Sequence, residues 1–218
     1  MKLKKDYWIA IACKIIVILT ELIITIFINR GLGVISKGEY SYVMKIVEVL
    51  YILCSLGLGQ TYATLKKQGK EYLRNTFIFL AFSQSFLVII LGMITVKLFH
   101  VDYGEVIVIF TAISVLKSIF SMIAVIERNV LRNIIQVFIN VCYATFLGIL
   151  FLGKICSLRN VFLCYGIAEI FRIVIICYIY KFKPSLKGLN QRVIREIYKV
   201  GFVTMILMVL ITLNYSID

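Results

Sequence analysis

Long apolar runs dominate this chain and limit what it can fold into. A membrane-spanning helix needs about 20 consecutive, mostly apolar residues. The chain contains six such stretches and the start of a seventh, separated by short segments that hold charges and turn residues. The stretches lie at 7–29, 40–59, 76–98, 105–126, 134–153, 161–180 and 200–218. This pattern predicts an all-α polytopic integral membrane protein, with a six-helix transmembrane lobe and an incomplete seventh helix.

The composition agrees with a chain whose solvent is largely lipid. Hydrophobic residues make up 61% of the 218 residues and charged residues 16%, with a mean hydropathy of +0.99. Soluble domains average about 45–50% apolar and about 25% charged residues. The excess cannot be hidden in one soluble core, because most of a folded domain's surface faces water. A soluble enzyme, a nucleic-acid module and a disordered tail are therefore excluded, despite a net charge of +13.

The short segments between the apolar stretches, called separators below, predict the domain organisation. Residues 1–180 form the N-terminal six-helix lobe, 181–199 a basic cytoplasmic linker, and 200–218 the start of a second lobe with a truncated seventh helix. The first stretch starts basic, like a signal peptide, but it is too long and contains Lys14 and Glu21. It also lacks a small-residue cleavage site, so we expect it to remain in the protein. Because the last apolar run is short, we expect a fragment or a prematurely stopped gene.

Basic residues in the separators predict the orientation. The N-terminus and the second, fourth and sixth separators together hold 15 Lys and Arg, against five on the opposite side. Cytoplasmic loops carry such an excess, so the N-terminus is predicted to be cytoplasmic. Most of the positive charge is then an orientation signal that also attracts anionic membrane lipids, and no nucleic-acid partner is required.

Four basic and four acidic residues stand out within the predicted spans, besides Lys97 and Glu105 next to the short outer loop. Each charge at mid-bilayer costs at least about 2.5–3.5 kcal/mol, so such residues usually face a bundle interior or a wet cavity. Lys45 with Glu48, and Glu169 with Arg172, are spaced i,i+3 and share a helix face. Two interpretations stay open for each pair, a purely structural ion pair and part of a polar pathway. For Lys14, snorkelling to the interface is the alternative. The eight are Lys14, Lys45, Lys117, Arg172, Glu21, Glu48, Glu169 and Asp218.

Motifs of enzyme chemistry are missing from the sequence. The single histidine, His100, lies in a short outer loop, and there is no H-E-x-x-H, paired-aspartate, G-x-S-x-G or P-loop motif. The six cysteines form no C-x-x-C pair, so we interpret them as small buried hydrophobes. We expect no catalytic residues, no metal and no cofactor.

Short motifs around the first two spans carry a family resemblance. The first span leads into Arg30-Gly-Leu-Gly33 and Lys37-Gly-Glu-Tyr40, and the second closes on Gly57-Leu-Gly59-Gln60. The segment from Val200-Gly-Phe to Asp218 opens on an aromatic-flanked glycine and reaches an aspartate. The chain thus resembles the N-terminal half of the polysaccharide flippases, the O-antigen and capsule exporters of the multidrug/oligosaccharidyl-lipid/polysaccharide superfamily. Ser41 stands where that family commonly has glycine.

The resemblance implies a transporter in the bacterial cytoplasmic (inner) membrane. Its cargo would be undecaprenyl-diphosphate-linked oligosaccharide for surface polysaccharide, moved by alternating access through a cavity between two lobes. A coupling proton or sodium ion is expected, as are polymerase or glycosyltransferase partners. The substrate-cavity candidates are Lys14, Glu21, Lys45, Glu48, Lys117 and Asp218, with Arg30, Glu169 and Arg172 as weaker candidates.

Two alternatives remain open at the level of the sequence. The first is a drug or cation antiporter of the same superfamily, for which a mostly acidic N-terminal lobe is expected. Here the charged residues singled out within the spans are four basic and four acidic. A non-transporting membrane interaction protein is the alternative from another class.

Overall fold

The computed structural model of this protein describes residues 5–185 and 190–217, and every regular element in those ranges is a helix. A short 3-10 turn, Glu71–Leu73, precedes α4. The predicted all-α class is therefore confirmed for the described residues. The helices are α1 (Lys5–Gly31), α2 (Gly33–Ser55), α3 (Leu58–Lys67), α4 (Arg74–Phe99), α5 (Gly104–Leu152), α6 (Leu158–Ile179) and α7 (Gln191–Ile217).

The second predicted span contains a break that its hydropathy does not show. α2 ends at Ser55, and α3 continues from Leu58 at an angle of 42°. Leu56 and Gly57 both have positive φ, at 45° and 64°. Glycine adopts this left-handed conformation without a Cβ clash, so Gly57 is suited to the bend. The span predicted at 40–59 is therefore two helices, and it extends beyond both of the predicted ends.

The longest helix, α5, combines the fourth and fifth predicted spans. Its 49 residues are helical except at Arg128, where φ is −149° and ψ is 77°. The sequence predicted a separator over 127–133, but the helical conformation is lost at Arg128 alone. At 1.5 Å per residue, 49 residues would extend about 74 Å. Arg128 divides this length into two helical halves.

The last helix begins before the seventh apolar run. α7 starts at Gln191, so residues 191–199 of the predicted linker are helical rather than irregular. This first part is amphipathic: Arg192 and Arg195 are exposed, whereas Ile197 is fully buried. A helix of this kind is stabilised by packing of one face, which an average over hydropathy does not reveal.

Four described helices, α1, α4, α5 and α6, are long and apolar enough to cross a membrane. The bent pair of α2 and α3 passes the same test when taken together, which raises the number to five. These helices are consistent with a membrane protein by length and composition.

Packing groups the residues into two compact units, and the predicted lobe 1–180 contributes to both. The first unit comprises residues 1–42 and 127–179. Its core includes Ile28 of α1, Tyr143 and Leu147 of the second half of α5, and Val161 of α6. Phe27 stacks on Phe151 with ring centroids 5.5 Å apart. The unit therefore joins α1, the second half of α5 and α6.

The second unit comprises residues 43–126 and 180–218. The rings of Tyr62 in α3 and Phe77 in α4 meet edge to face at 5.3 Å. α4 and the first half of α5 are joined by a buried hydrogen bond, in which Ser85 Oγ donates to the Ala112 carbonyl oxygen at 3.1 Å. Gly201 of α7 lies against the Leu56 carbonyl at the bend between α2 and α3. The bend is therefore packed directly against α7.

Candidate functional site

A buried ionic network lies within the first unit, halfway along α6. Arg172 Nη1 is 3.3 Å from Glu169 Oε1, and the side chains of Arg172 and Glu169 are only 15% and 7% exposed. Arg172 Nη2 also donates a hydrogen bond of 2.8 Å to Asn140 Oδ1 on the second half of α5. Asn140 is itself buried. The network thus connects two helices of the unit through a charged group.

Burying this network in an apolar environment costs free energy. Removing two charges from water costs several kcal/mol per ion, and their attraction recovers this only when the remaining polar groups are also satisfied. The i,i+3 spacing predicted that Glu169 and Arg172 share a face, and the ion pair confirms it. The sequence indicates Asn140 as a helix-interface hydrogen-bonding group, and its bond to Arg172 agrees with this. Its partner was not predicted, because that depends on which helix packs beside α6.

A cavity of about 380 Å³, lined by both apolar and polar side chains, lies elsewhere in the first unit. One wall is the first four turns of α1, and the other is the start of the second half of α5. Lys14, a predicted site residue, lines it, and so does Arg132. The remaining lining residues are Tyr7, Ala10, Ile11, Cys13, Val17, Asn129, Asn133 and Gln136.

The polar groups that line the cavity are mainly cationic and carboxamide side chains. Arg132 Nη1 donates to Asn133 Oδ1 at 3.2 Å, which holds the guanidinium beside its neighbour. Lys14 makes no hydrogen bond or ion pair within the described ranges, 5–185 and 190–217. None of the described lining residues is Asp or Glu. Ammonium, guanidinium and amide N–H groups all donate hydrogen bonds, so the cavity can bind an anion.

The second unit holds three of the predicted site residues. Lys45 Nζ and Glu48 Oε2 form an ion pair of 2.9 Å, as their spacing predicted, but the side chains are 71% and 45% exposed. This pair therefore lies on an open face of α2, in contrast to the buried pair of α6. Lys117 is half-buried in the first half of α5.

The structure does not place the remaining predicted site residues in a buried network or in the cavity. Glu21 and Arg30 are exposed on α1, and Glu21 does not line the cavity that contains Lys14. Asp218 lies outside the described residues. The assignment of these side chains to a substrate cavity remains a prediction.

Polar side chains at the start of the second half of α5 line the cavity that contains Lys14. From the sequence, Asn129, Asn133 and Gln136 are interpreted as helix-interface hydrogen-bonding groups, and their place in a cavity was not predicted. Asn129, Arg132, Asn133 and Gln136 are spaced i, i+3, i+4 and i+7, which places them on one helix face. This polar stripe is a signal present in the sequence. Its position opposite Lys14, 115 residues away from Asn129, is not.

The described residues contain no group of three His, Cys, Asp or Glu side chains placed to hold a metal ion. Comparison with protein-family models, with curated proteins and with solved structures finds no match to this chain.

Proposed function

We propose that this protein transports lipid-linked oligosaccharide across the bacterial cytoplasmic membrane, as part of surface polysaccharide synthesis. The observation that carries the proposal is the buried Glu169–Arg172 pair in α6, together with its hydrogen bond to Asn140 of α5. Ionisable residues kept within apolar spans are rare, and they usually mark a substrate or ion pathway. The family resemblance of the segments around Gly33, Tyr40 and Gly57 supports the choice of cargo.

The helix lengths support six membrane spans in the proposed transporter. The hydrocarbon core of a bilayer is about 30 Å thick. α5 would be more than twice as long as this if it were straight, so the proposal treats its halves on either side of Arg128 as two spans. The bent pair of α2 and α3 forms one more. With α1, α4 and α6, this gives the six-helix lobe, and α7 follows it.

Interrupted helices are a further point in favour of transport. Transporters commonly build their sites from discontinuous helices, whose ends and unwound residues face a polar interior. Two such interruptions lie among the residues that the structure describes, at Leu56–Gly57 and at Arg128. Backbone groups freed at a break must be satisfied within the protein or by water, because lipid offers no partner.

The proposed roles follow from charge. The cationic side chains Lys14, Lys45 and Lys117 would attract the diphosphate of the cargo, since a cation attracts a phosphate strongly where the dielectric constant is low. Glu21 and Glu48 would bind sugar hydroxyls or a coupling proton or sodium ion. Glu169 and Arg172 would hold the helices around the pathway.

Deletion of the gene in its own host tests the proposal. We expect surface polysaccharide to fall, and undecaprenyl-diphosphate-linked oligosaccharide to accumulate on the cytoplasmic side, because synthesis continues without export. The wild-type gene on a plasmid should restore export. The variant Lys117→Gln should restore it less well than the control Lys97→Gln, which removes an exposed charge at the end of α4. Unchanged polysaccharide and an unchanged lipid-linked pool in the deletion strain would refute the proposal.

A further inference from the structure

The cavity between the start of α1 and the start of the second half of α5 has a chemistry of its own. We infer that it binds the phosphate of an anionic lipid head group, with Lys14 and Arg132 as the charged contacts. The inference does not require the proposed transport, because a resident membrane lipid would occupy the cavity in the same way.

The two walls of the cavity differ in polarity. The wall from α5 is polar, with Arg132 and its carboxamide neighbours on one helix face. The wall from α1 is apolar apart from Lys14 and Tyr7, and it includes Ile11 and Val17. A lipid presents the same combination, since its charged head group is joined to an apolar chain.

The charge of the cavity favours an anion over a neutral sugar. Two cationic side chains line it, and the lining residues include no carboxylate within the part of the chain that the structure describes. Lys and Arg are the usual phosphate-binding side chains, and their hydrogen bonds to phosphate are about twice as strong as neutral ones. The carboxamides of Asn129 and Gln136 can donate further N–H groups to phosphate oxygens.

The size of the cavity limits what it can hold. Small-molecule pockets range from about 300 to 1,000 Å³. At about 380 Å³ the cavity is near the lower end of that range. A head group fits this volume, whereas a whole oligosaccharide would extend beyond it.

The position of the cavity also agrees with a lipid ligand. Tyr7 and Lys14 belong to the first turns of α1, and Arg132 follows Arg128 closely in the chain. The distribution of basic residues predicts that both segments lie at the cytoplasmic side, where the leaflet carries anionic lipids. A cationic cavity at that side would take a head group directly from the bilayer.

Lipid binding to the full-length chain in detergent tests this inference. The protein is titrated with phosphatidylglycerol, and bound lipid is counted by native mass spectrometry. Inorganic phosphate is titrated in a parallel series. We expect saturable binding of one phosphatidylglycerol, weakened about tenfold or more in Lys14→Gln and in Arg132→Gln, because each removes a charged hydrogen-bond donor. Gln136→Leu should weaken it without changing the net charge.

Lys97→Gln is the matched control, because it removes one positive charge from an exposed position on α4. Each variant is checked by thermal unfolding, so that a loss of binding is compared only among folded proteins. Saturable binding of inorganic phosphate with the same dependence on Lys14 would show that the site takes free phosphate as well as a lipid head group. The inference would be overturned if neither phosphatidylglycerol nor inorganic phosphate binds saturably. It would also be overturned if Lys97→Gln weakens the binding as much as Lys14→Gln does. Intact binding in a protein that does not export polysaccharide would refute only the proposed function.

Discussion

Arg172 and Asn140 lie 32 residues apart in the chain, and Nη2 of Arg172 donates a hydrogen bond of 2.8 Å to Oδ1 of Asn140. The same guanidinium faces Glu169 one helical turn earlier. A single buried cation thus connects a carboxylate on its own helix with an amide on a neighbouring one. Changes at this residue should therefore affect both α6 and the second half of α5.

Replacing Arg172 with Met should destabilise the protein by about 3–5 kcal/mol, because the buried Glu169 carboxylate then loses the cation it faces. The double variant Glu169→Gln with Arg172→Gln should be less destabilised than Arg172→Met, since no charge is left buried. The free energy of unfolding, measured by denaturant titration in mild detergent, checks both. Lys45→Met is the control, because its ion pair is exposed and should contribute less than about 1 kcal/mol. An equal loss in Lys45→Met and Arg172→Met would contradict the importance of burial.

Replacing Gly201 with Ala should destabilise the second unit, because a Cβ there would collide with the Leu56 carbonyl and approach Thr61 Oγ1 to 3.3 Å. Overpacking of this kind costs about 1–3 kcal/mol. Gly38→Ala is the control, since a Cβ at Gly38 meets nothing within 4 Å. Alanine there should be neutral or stabilising by up to about 1 kcal/mol, as glycine is the weaker helix former. The midpoint of thermal unfolding should fall in Gly201→Ala and should not fall in Gly38→Ala. An equal fall in both variants would count against the close contact.

Reversing the charge of Lys70 should weaken the attachment of α7, because Lys70 Nζ and Glu196 Oε1 are 2.5 Å apart. The side chains are 30% and 40% exposed, so the expected coupling is small, about 0.2–1 kcal/mol. A double-mutant cycle with Lys70→Glu and Glu196→Lys measures it, and the double variant should recover part of the loss. Lys67→Glu, an exposed neighbour, is the control. Salt should reduce the coupling, and a coupling that rises with salt would contradict a simple ion pair.

The thiol of Cys156 should react slowly with maleimide at neutral pH. Cys156 lies in the connection between α5 and α6, and burial raises its pKa because desolvation disfavours the thiolate. The thiolate is the reactive form, so the labelling rate should keep rising at a pH where an ordinary thiol has levelled off. A cysteine at the exposed position 154, in a chain with Cys156→Ser, is the control. Identical pH profiles for the two thiols would rule out the effect of burial.

Labelling of intact cells tests the predicted orientation. A cysteine introduced by Lys183→Cys lies at an exposed position beyond α6 and should resist a membrane-impermeant reagent added from outside. Lys154→Cys, in the connection before α6, should be labelled. Both are measured in a chain from which the native cysteines have been removed, and both should react after the cells are opened. The reverse pattern would place the N-terminus outside.

The sequence predicted the elements well where hydropathy alone decides them. α1, α4 and α6 begin and end within three residues of the predicted spans, because each is apolar along its length and is bounded by charges or turn residues. The bend at Gly57 was missed, since Leu56 and Leu58 continue the apolar run on both sides. The early start of α7 was missed for the opposite reason: its first turns are amphipathic and have the average polarity of a linker.

The candidate site was predictable only in part. The pairs Lys45–Glu48 and Glu169–Arg172 follow from spacing within one helix, and both are present. Their burial differs widely, because it depends on the neighbours of each helix. Asn140 and Arg132 acquire their surroundings from helices distant in the chain, and no local pattern specifies which helix that is.

The contact between Gly57 and Gly201 has a mechanical consequence. Thr204 Oγ1 donates to the Gly201 carbonyl oxygen at 2.8 Å and also lies 3.4 Å from the Gly57 carbonyl oxygen. With no side chain between the two backbones, α7 cannot slide along α3 by a helical turn without forcing a larger residue into the space that glycine leaves. A movement of α7 is therefore expected to be transmitted directly to the bend between α2 and α3.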